Sequence, residues 1–162
     1  SGKNIYIRNY KKFDINLLNN QPISSILNLF LTLQFDIGSQ TVMIKKKSLL
    51  EIGGFKNDKY YPFVDIPTYL NLVLEGKFVY IPQVLGYYRR TNSSSWFKFA
   101  SKSQTMGREE LKYCINNFVK NQAKSFSKSL DWKKIENKQN QYLLKRKIFY
   151  LPSIFFNKYL SK

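Results

Sequence analysis

Asp65 is the residue of this 162-residue chain whose surroundings most clearly invite chemistry. It stands in the run Val64-Asp65-Ile66-Pro67, at the mouth of a segment that reads as a helix. A carboxylate there can serve as a general base if it lies in a cleft, is ionised and reaches a substrate hydroxyl. The plainer reading is an N-cap, an aspartate that accepts backbone N–H bonds and complements the helix dipole. The two roles are compatible, because accepting N–H bonds favours the charged form of a carboxylate. Arg89 and Arg90 follow at the end of a predicted strand. They can meet phosphate charge through bidentate contacts, or stand as the solvated ends of that strand. Tyr60, Tyr61 and Trp96 offer aromatic rings for stacking, and Thr68 and Ser94 offer hydroxyls. Each of these five also suits an ordinary core or surface position.

The rest of the inventory is restrictive. The chain has no histidine, which removes Ser-His-Asp and Cys-His catalysis and His-ligated zinc. One cysteine, Cys114, excludes an internal disulfide and a cysteine-cluster zinc site. It falls in a helical pattern and reads as a small buried apolar residue. Acid–base chemistry must therefore come from Asp, Glu, Tyr or Lys. The aspartates Asp14, Asp36, Asp58, Asp65 and Asp131 are isolated, and no D-x-D occurs. Divalent metals in phosphate chemistry need converging oxygen ligands, so no metal site is expected in this chain. The net charge of +17 favours anionic partners. It also fits plain composition, since the chain is rich in Lys, Asn, Ile, Tyr and Phe, as an AT-rich coding sequence would be.

The frame around Asp65 spans residues 61–94. Pro67 lies just inside the predicted helix, Leu70, Val73 and Leu74 give it an apolar face, and Gly76 ends it. Residues 77–81 and 84–89 are aromatic and β-branched and read as strands, with Pro82-Gln83 between them. Before this frame, residues 3–8 alternate as a strand does. Residues 22–35 read as a helix with Ile23, Ile26, Leu27, Phe30 and Leu31 on its buried face. Residues 40–44 read as a strand, and 48–52 as a short helix ended by Gly53-Gly54. After it, residues 97–128 read as one helix carrying Leu111, Cys114, Ile115, Phe118 and Val119. Another opens at Asp131-Trp132, runs through Lys147 and breaks at Pro152. The expected fold class is α/β: a small mixed sheet with flanking helices over residues 1–98, then a basic helical tail over 99–162. No run of about 18 apolar residues is present, so no transmembrane helix is expected.

Residues 40–94 resemble the acceptor-binding half of a family-2 glycosyltransferase with the GT-A fold. The matching pieces are residues 41–44, Lys46, Gly53-Gly54-Phe55, Val64-Asp65, Gly76-Lys77-Phe78-Val79-Tyr80, and Tyr88-Arg89-Arg90-Thr91-Asn92-Ser93-Ser94. Each piece is weak alone; their order and spacing carry the match. The resemblance implies an inverting transfer, in which an aspartate deprotonates the acceptor hydroxyl and that oxygen attacks the anomeric carbon of a nucleotide-sugar. Asp65 takes the place of that catalytic base. Tyr61, Thr68, Arg89, Arg90, Ser94 and Trp96 form the expected substrate-binding set. The chain departs from the pattern at Val64, where the family has the first acid of a pair, and at Thr91, where it has histidine. The family's nucleotide-binding half, with the D-x-D motif that holds Mn²⁺ or Mg²⁺, has no counterpart here. The expectation is a fragment, one piece of a split gene, or a remnant, which does not transfer sugar by itself. Polysaccharide, glycolipid and glycoprotein assembly all fit.

Residues 145–162, KRKIFYLPSIFFNKYLSK, interleave basic and aromatic residues. Such a segment can lie in a membrane interface, or pack as a terminal helix on its own core. The expected location is the cytoplasm, peripheral at the inner face of the membrane. Two further classes fit the charge and aromatics. One is a basic nucleic-acid-binding module, against which stand the core-like spacing of Phe78, Tyr80, Tyr87 and Tyr88 and the lack of an RNP, KH or zinc-finger signature. The other is a non-catalytic interaction domain, favoured by the departures at Val64 and Thr91.

Overall fold

The computed structural model describes residues 19, 21–33, 35, 37–81, 83, 86 and 106–159; residue 106 and residues 147–159 enter through their backbone alone. Pro22 precedes α1 (Ile23–Leu31) with φ −63° and ψ 152°, and Ile26, Leu27, Phe30 and Leu31 make its buried stripe, whereas Ile23, expected on that face, is 44% exposed. The helix stops at Leu31, short of the expected end at Phe35. Leu33 takes a left-handed φ of 58°, and its N–H still bonds the Phe30 carbonyl at 3.0 Å. A left-handed conformation costs a non-glycine residue about 1–2 kcal/mol. Full burial of the Leu33 side chain offsets this, at about 1.5–3 kcal/mol. Phe35 then returns edge-on to Phe30, ring centres 5.1 Å apart.

A 3₁₀ turn (Ser39–Thr41) leads to α2 (Lys46–Glu51). Gly53 and Gly54 follow α2 with φ of 77° and 83°, and their N–H groups bond the Leu50 and Leu49 carbonyls at 2.8 Å. Both conformations are ones that glycine adopts at no steric cost. Next comes α3 (Asp65–Glu75), which buries Ile66, Pro67, Thr68, Tyr69, Leu70 and Val73. The long predicted helix of the C-terminal part is two helices, α4 (Met106–Gln122) and α5 (Lys124–Lys128), divided at Ala123, whose φ −108° and ψ 51° are not helical. Finally α6 (Trp132–Tyr159) opens with Asp131 accepting the Lys134 N–H at 3.0 Å. Its helical backbone continues through Pro152, which was expected to break it. Proline removes one i→i−4 bond, and the bonds on either side carry the helix past it.

The expected α/β fold is not what forms. Among the described residues there is no β-strand, only an isolated bridge between Asp58 and Tyr61. The segment expected as a strand at 40–44 is a 3₁₀ turn followed by chain without regular structure, and the one at 77–81 has no regular structure. Their burial does alternate. Val42, Ile44 and Phe78 pack on the core, while Met43 and Val79 are 81% and 74% exposed. Alternation specifies an extended segment with one face covered; a sheet also requires a neighbour to take its N–H and C=O groups. Residues 3–8 and, apart from Gly86, 84–89 lie outside the described residues.

One apolar core unites α1, α3, α4 and α6, and so draws on residues from both sides of the expected boundary after residue 98. Two groups tie down the last carbonyls of the α1 region. Arg108 Nη1 donates to the Leu33 carbonyl and Gln139 Nε2 to the Leu31 carbonyl, both at 3.0 Å. Helices α4 and α6 run antiparallel, as three contacts one turn apart on α4 show. Lys112 Nζ donates to Asn140 Oδ1 at 2.7 Å, Asn116 and Gln139 exchange amide bonds at 2.9 Å, and Lys120 meets Glu136 at 3.0 Å. The Asn116–Gln139 pair is buried, so each of its bonds replaces one to water. The Lys120 ammonium also lies 4.5 Å from the Trp132 ring centre.

Candidate functional site

The region around Asp65 is built from the loop 56–64, the first turn of α3 and one side of α4. Val64, with φ −82° and ψ −15°, occupies the cap position of α3 and supplies no side-chain cap, so Asp65 is the first helical residue. Asp65 is half-buried, and its Oδ1 accepts the Ile66 N–H at 2.8 Å. That bond orients the carboxylate at the positive end of the helix dipole. Pro67 fits here because the first turn of a helix leaves its N–H groups without helical partners.

Thr68 is wholly buried. Its hydroxyl donates to the Val64 carbonyl and accepts the Lys56 N–H at 2.9 Å, so it ties the loop to the helix. The loop itself turns on Asp58. Its Oδ1 accepts the Tyr60 N–H at 2.7 Å, and its carbonyl accepts the Tyr61 N–H at 3.3 Å. This Asx-type turn places two half-buried rings side by side in sequence but against different neighbours. Tyr61 meets Phe63 at 5.6 Å, and Tyr60 meets Tyr113 of α4 at 5.8 Å. Lys59 lies 4.6 Å from the Tyr60 ring centre, and its hydrogen bond to that residue raises its pKa.

The buried Cys114 thiol links these pieces. Its pKa is pushed up to about 12, first by burial and then by the nearby charges of Asp58 and Asp65. Both carboxylates therefore lie near this residue of α4. A thiol with so high a pKa holds no useful thiolate and is a packing group. One turn earlier, Glu110 is pushed up by burial, and its Oε2 is sealed from solvent with no hydrogen-bond partner.

Of the residues expected from sequence, the structure brings Asp65, Tyr61 and Thr68 into one region. Arg89, Arg90, Ser94 and Trp96 lie outside the described residues. Asp58, Tyr113 and Glu110 were not singled out as site residues. The spacing of Glu110, Tyr113 and Cys114 at i, i+3 and i+4 marks one helix face, but nothing local says that the face meets the loop. No group of three His, Cys, Asp or Glu among the described residues could hold a metal ion. Two open clefts of about 430 Å³ each lie along α6 and share no lining residue with the Asp65 region. No helix among the described residues is long and apolar enough to cross a membrane. No family model matches the chain, and no curated protein or solved structure matches it.

Proposed function

We propose that the chain provides the acceptor side of an inverting sugar transfer, with Asp65 as the base. The reading is carried by one observation: a half-buried carboxylate at the first turn of α3, oriented by the Ile66 amide, beside a loop that holds Tyr60 and Tyr61 in place. The ordered motifs over residues 40–94 lend it further support. In that role Asp65 accepts the proton of an acceptor hydroxyl. The freed oxygen bonds to the anomeric carbon of a nucleotide-sugar, and the bond to the departing nucleoside diphosphate breaks. Tyr61 and Trp96 would stack on sugar, Thr68 would hold the loop, Ser94 would meet a hydroxyl, and Arg89 and Arg90 would meet the diphosphate. The nucleotide-binding half, with its Mn²⁺ or Mg²⁺, would lie outside this chain. Such an enzyme would work in the cytoplasm at the inner face of the membrane, with residues 145–162 toward the lipid.

A second reading is a non-catalytic interaction domain. It is favoured by the exposed apolar side chains Met43, Leu50, Phe55 and Val79, which a partner could cover.

Calorimetric titration separates the two readings. The acceptor reading expects weak binding of methyl glycosides, lost in Tyr61→Ala and altered in Asp65→Asn, with no turnover of a nucleotide-sugar by the chain alone. Binding of no glycoside, or binding unaffected by both substitutions, would sink it.

A further inference from the structure

The outward face of α6 carries a pattern that the sugar-transfer reading does not use. Helix α6 presents Trp132, Ile135, Glu136, Gln139, Tyr142 and Leu143 to the body of the protein, all buried or half-buried. The opposite face holds Lys133, Lys134, Lys138 and Lys145, all exposed, with the amides Asn137 and Gln141 between them. Along α6 itself no acid shares that face past its start, while Glu109 of α4 borders it in the cleft with Asn137, Gln141 and Leu144. Asp131 caps the first turn, and Glu136 is turned to Lys120 of α4. The sequence contains no acid at all after Glu136. The four lysines fall within residues 133–145, about 18 Å of this helix at 1.5 Å per residue.

We propose that this face of α6 docks on an anionic lipid surface, with the helix axis lying along the membrane. It rests on the membrane placement suggested above and extends it from residues 145–162 to the exposed face of residues 133–145. Two observations favour lipid over a nucleic acid. Leu144 is 57% exposed beside Lys145, an aliphatic group that a bilayer interface takes up and a phosphate backbone does not. The same helix then continues into the sequence KIFYLPSIFFNKY, in which aliphatic and aromatic residues outnumber basic ones. Lysines near an anionic leaflet each add binding energy that salt screens within a Debye length, so several on one face act together.

The test is sedimentation of the full chain with phosphatidylcholine vesicles, with and without phosphatidylglycerol, at low and high salt. The triple variant K133E/K134E/K138E changes only exposed residues, and circular dichroism checks its helicity. Binding is expected to need phosphatidylglycerol, to fall with salt, and to drop roughly tenfold or more in the triple variant. The charge-matched control K45E/K46E/K77E, exposed lysines on other segments, is expected to lose roughly twofold at most. Equal loss in both variants would show attraction by net charge alone and overturn the assigned face. Unchanged binding in the triple variant would also overturn it, while leaving residues 145–162 as the membrane contact. Wild type that ignores anionic vesicles at low salt would remove both. Tighter binding to duplex DNA than to vesicles, lost in the triple variant, would overturn the choice of lipid.

Discussion

The Asp65 region and the outward face of α6 are opposite in chemistry, and α4 stands between them. On one side of α4, Tyr113 packs on Tyr60 of the loop 56–64, and the buried Cys114 lies near Asp58 of that loop and Asp65 of α3. On the other, Lys112, Asn116 and Lys120 hold α6 in register. The first region concentrates carboxylates and tyrosine rings in partial burial. The second spreads lysines over solvent and places its acid, Glu136, inward. In a chain of net charge +17, the carboxylates kept by the loop are the exception to explain, and the lysines are the background from which a docking face is selected. Partial burial strengthens what a single carboxylate can do, whereas exposed lysines act only collectively.

The largest test of that division lies beneath the Asp65 region. Leu70 is fully buried on α3, and Leu70→Ala should cost about 3 kcal/mol in denaturant unfolding. Glycoside binding should weaken more than vesicle binding, because Leu70 lies on the helix that carries Asp65 and not on α6. A larger loss of vesicle binding would reverse the assignment.

Next comes the α6 side. Gln139→Ala should cost about 2 kcal/mol, since it strands the Leu31 carbonyl and the Asn116 amide in the core. The double variant Asn116→Leu/Gln139→Leu should recover part of that loss, because it removes both halves of the amide pair. A double variant worse than the single one would mean that the pair is not a closed unit.

The smallest effect is a gain. Glu110→Met removes a buried, unpartnered oxygen and should stabilise the chain by about 1 kcal/mol at neutral pH. The sign with pH follows from the raised pKa of Glu110. The folded state holds that proton longer than the unfolded state does. Its contribution is therefore fullest in acid and lost as pH rises from the ordinary carboxylate range through the raised value. The advantage of the variant should grow over that interval. Equal gains at all pH would assign the effect to packing alone.

Helices were the legible part of this sequence. The spacing of Ile26, Leu27, Phe30 and Leu31, and of Leu111, Cys114, Ile115, Phe118 and Val119, marks faces that the core does bury. A helix satisfies its own backbone, so local pattern suffices to specify it. Helix ends were less legible: Leu33 turns left-handed because burial repays it, Ala123 divides α4 from α5, and Pro152 is passed. Extended segments were the misleading part. The alternation over 42–45 and 77–81 is real in burial, but pairing depends on neighbours that no local pattern supplies. The site shows the same split. Asp65 announced itself through Pro67 and the following helix, whereas Asp58 and Tyr113 join the region only through contacts across the chain.

The most direct measurement is amide-resolved NMR of the full chain, titrated in turn with a methyl glycoside and with lipid bicelles containing phosphatidylglycerol. Two separate surfaces predict two separate sets of shifted amides. The glycoside should move residues of the 56–69 stretch and its neighbours on α4, and the bicelles should move 133–146. Shifts from both probes on one face, or glycoside shifts confined to α6, would contradict the account.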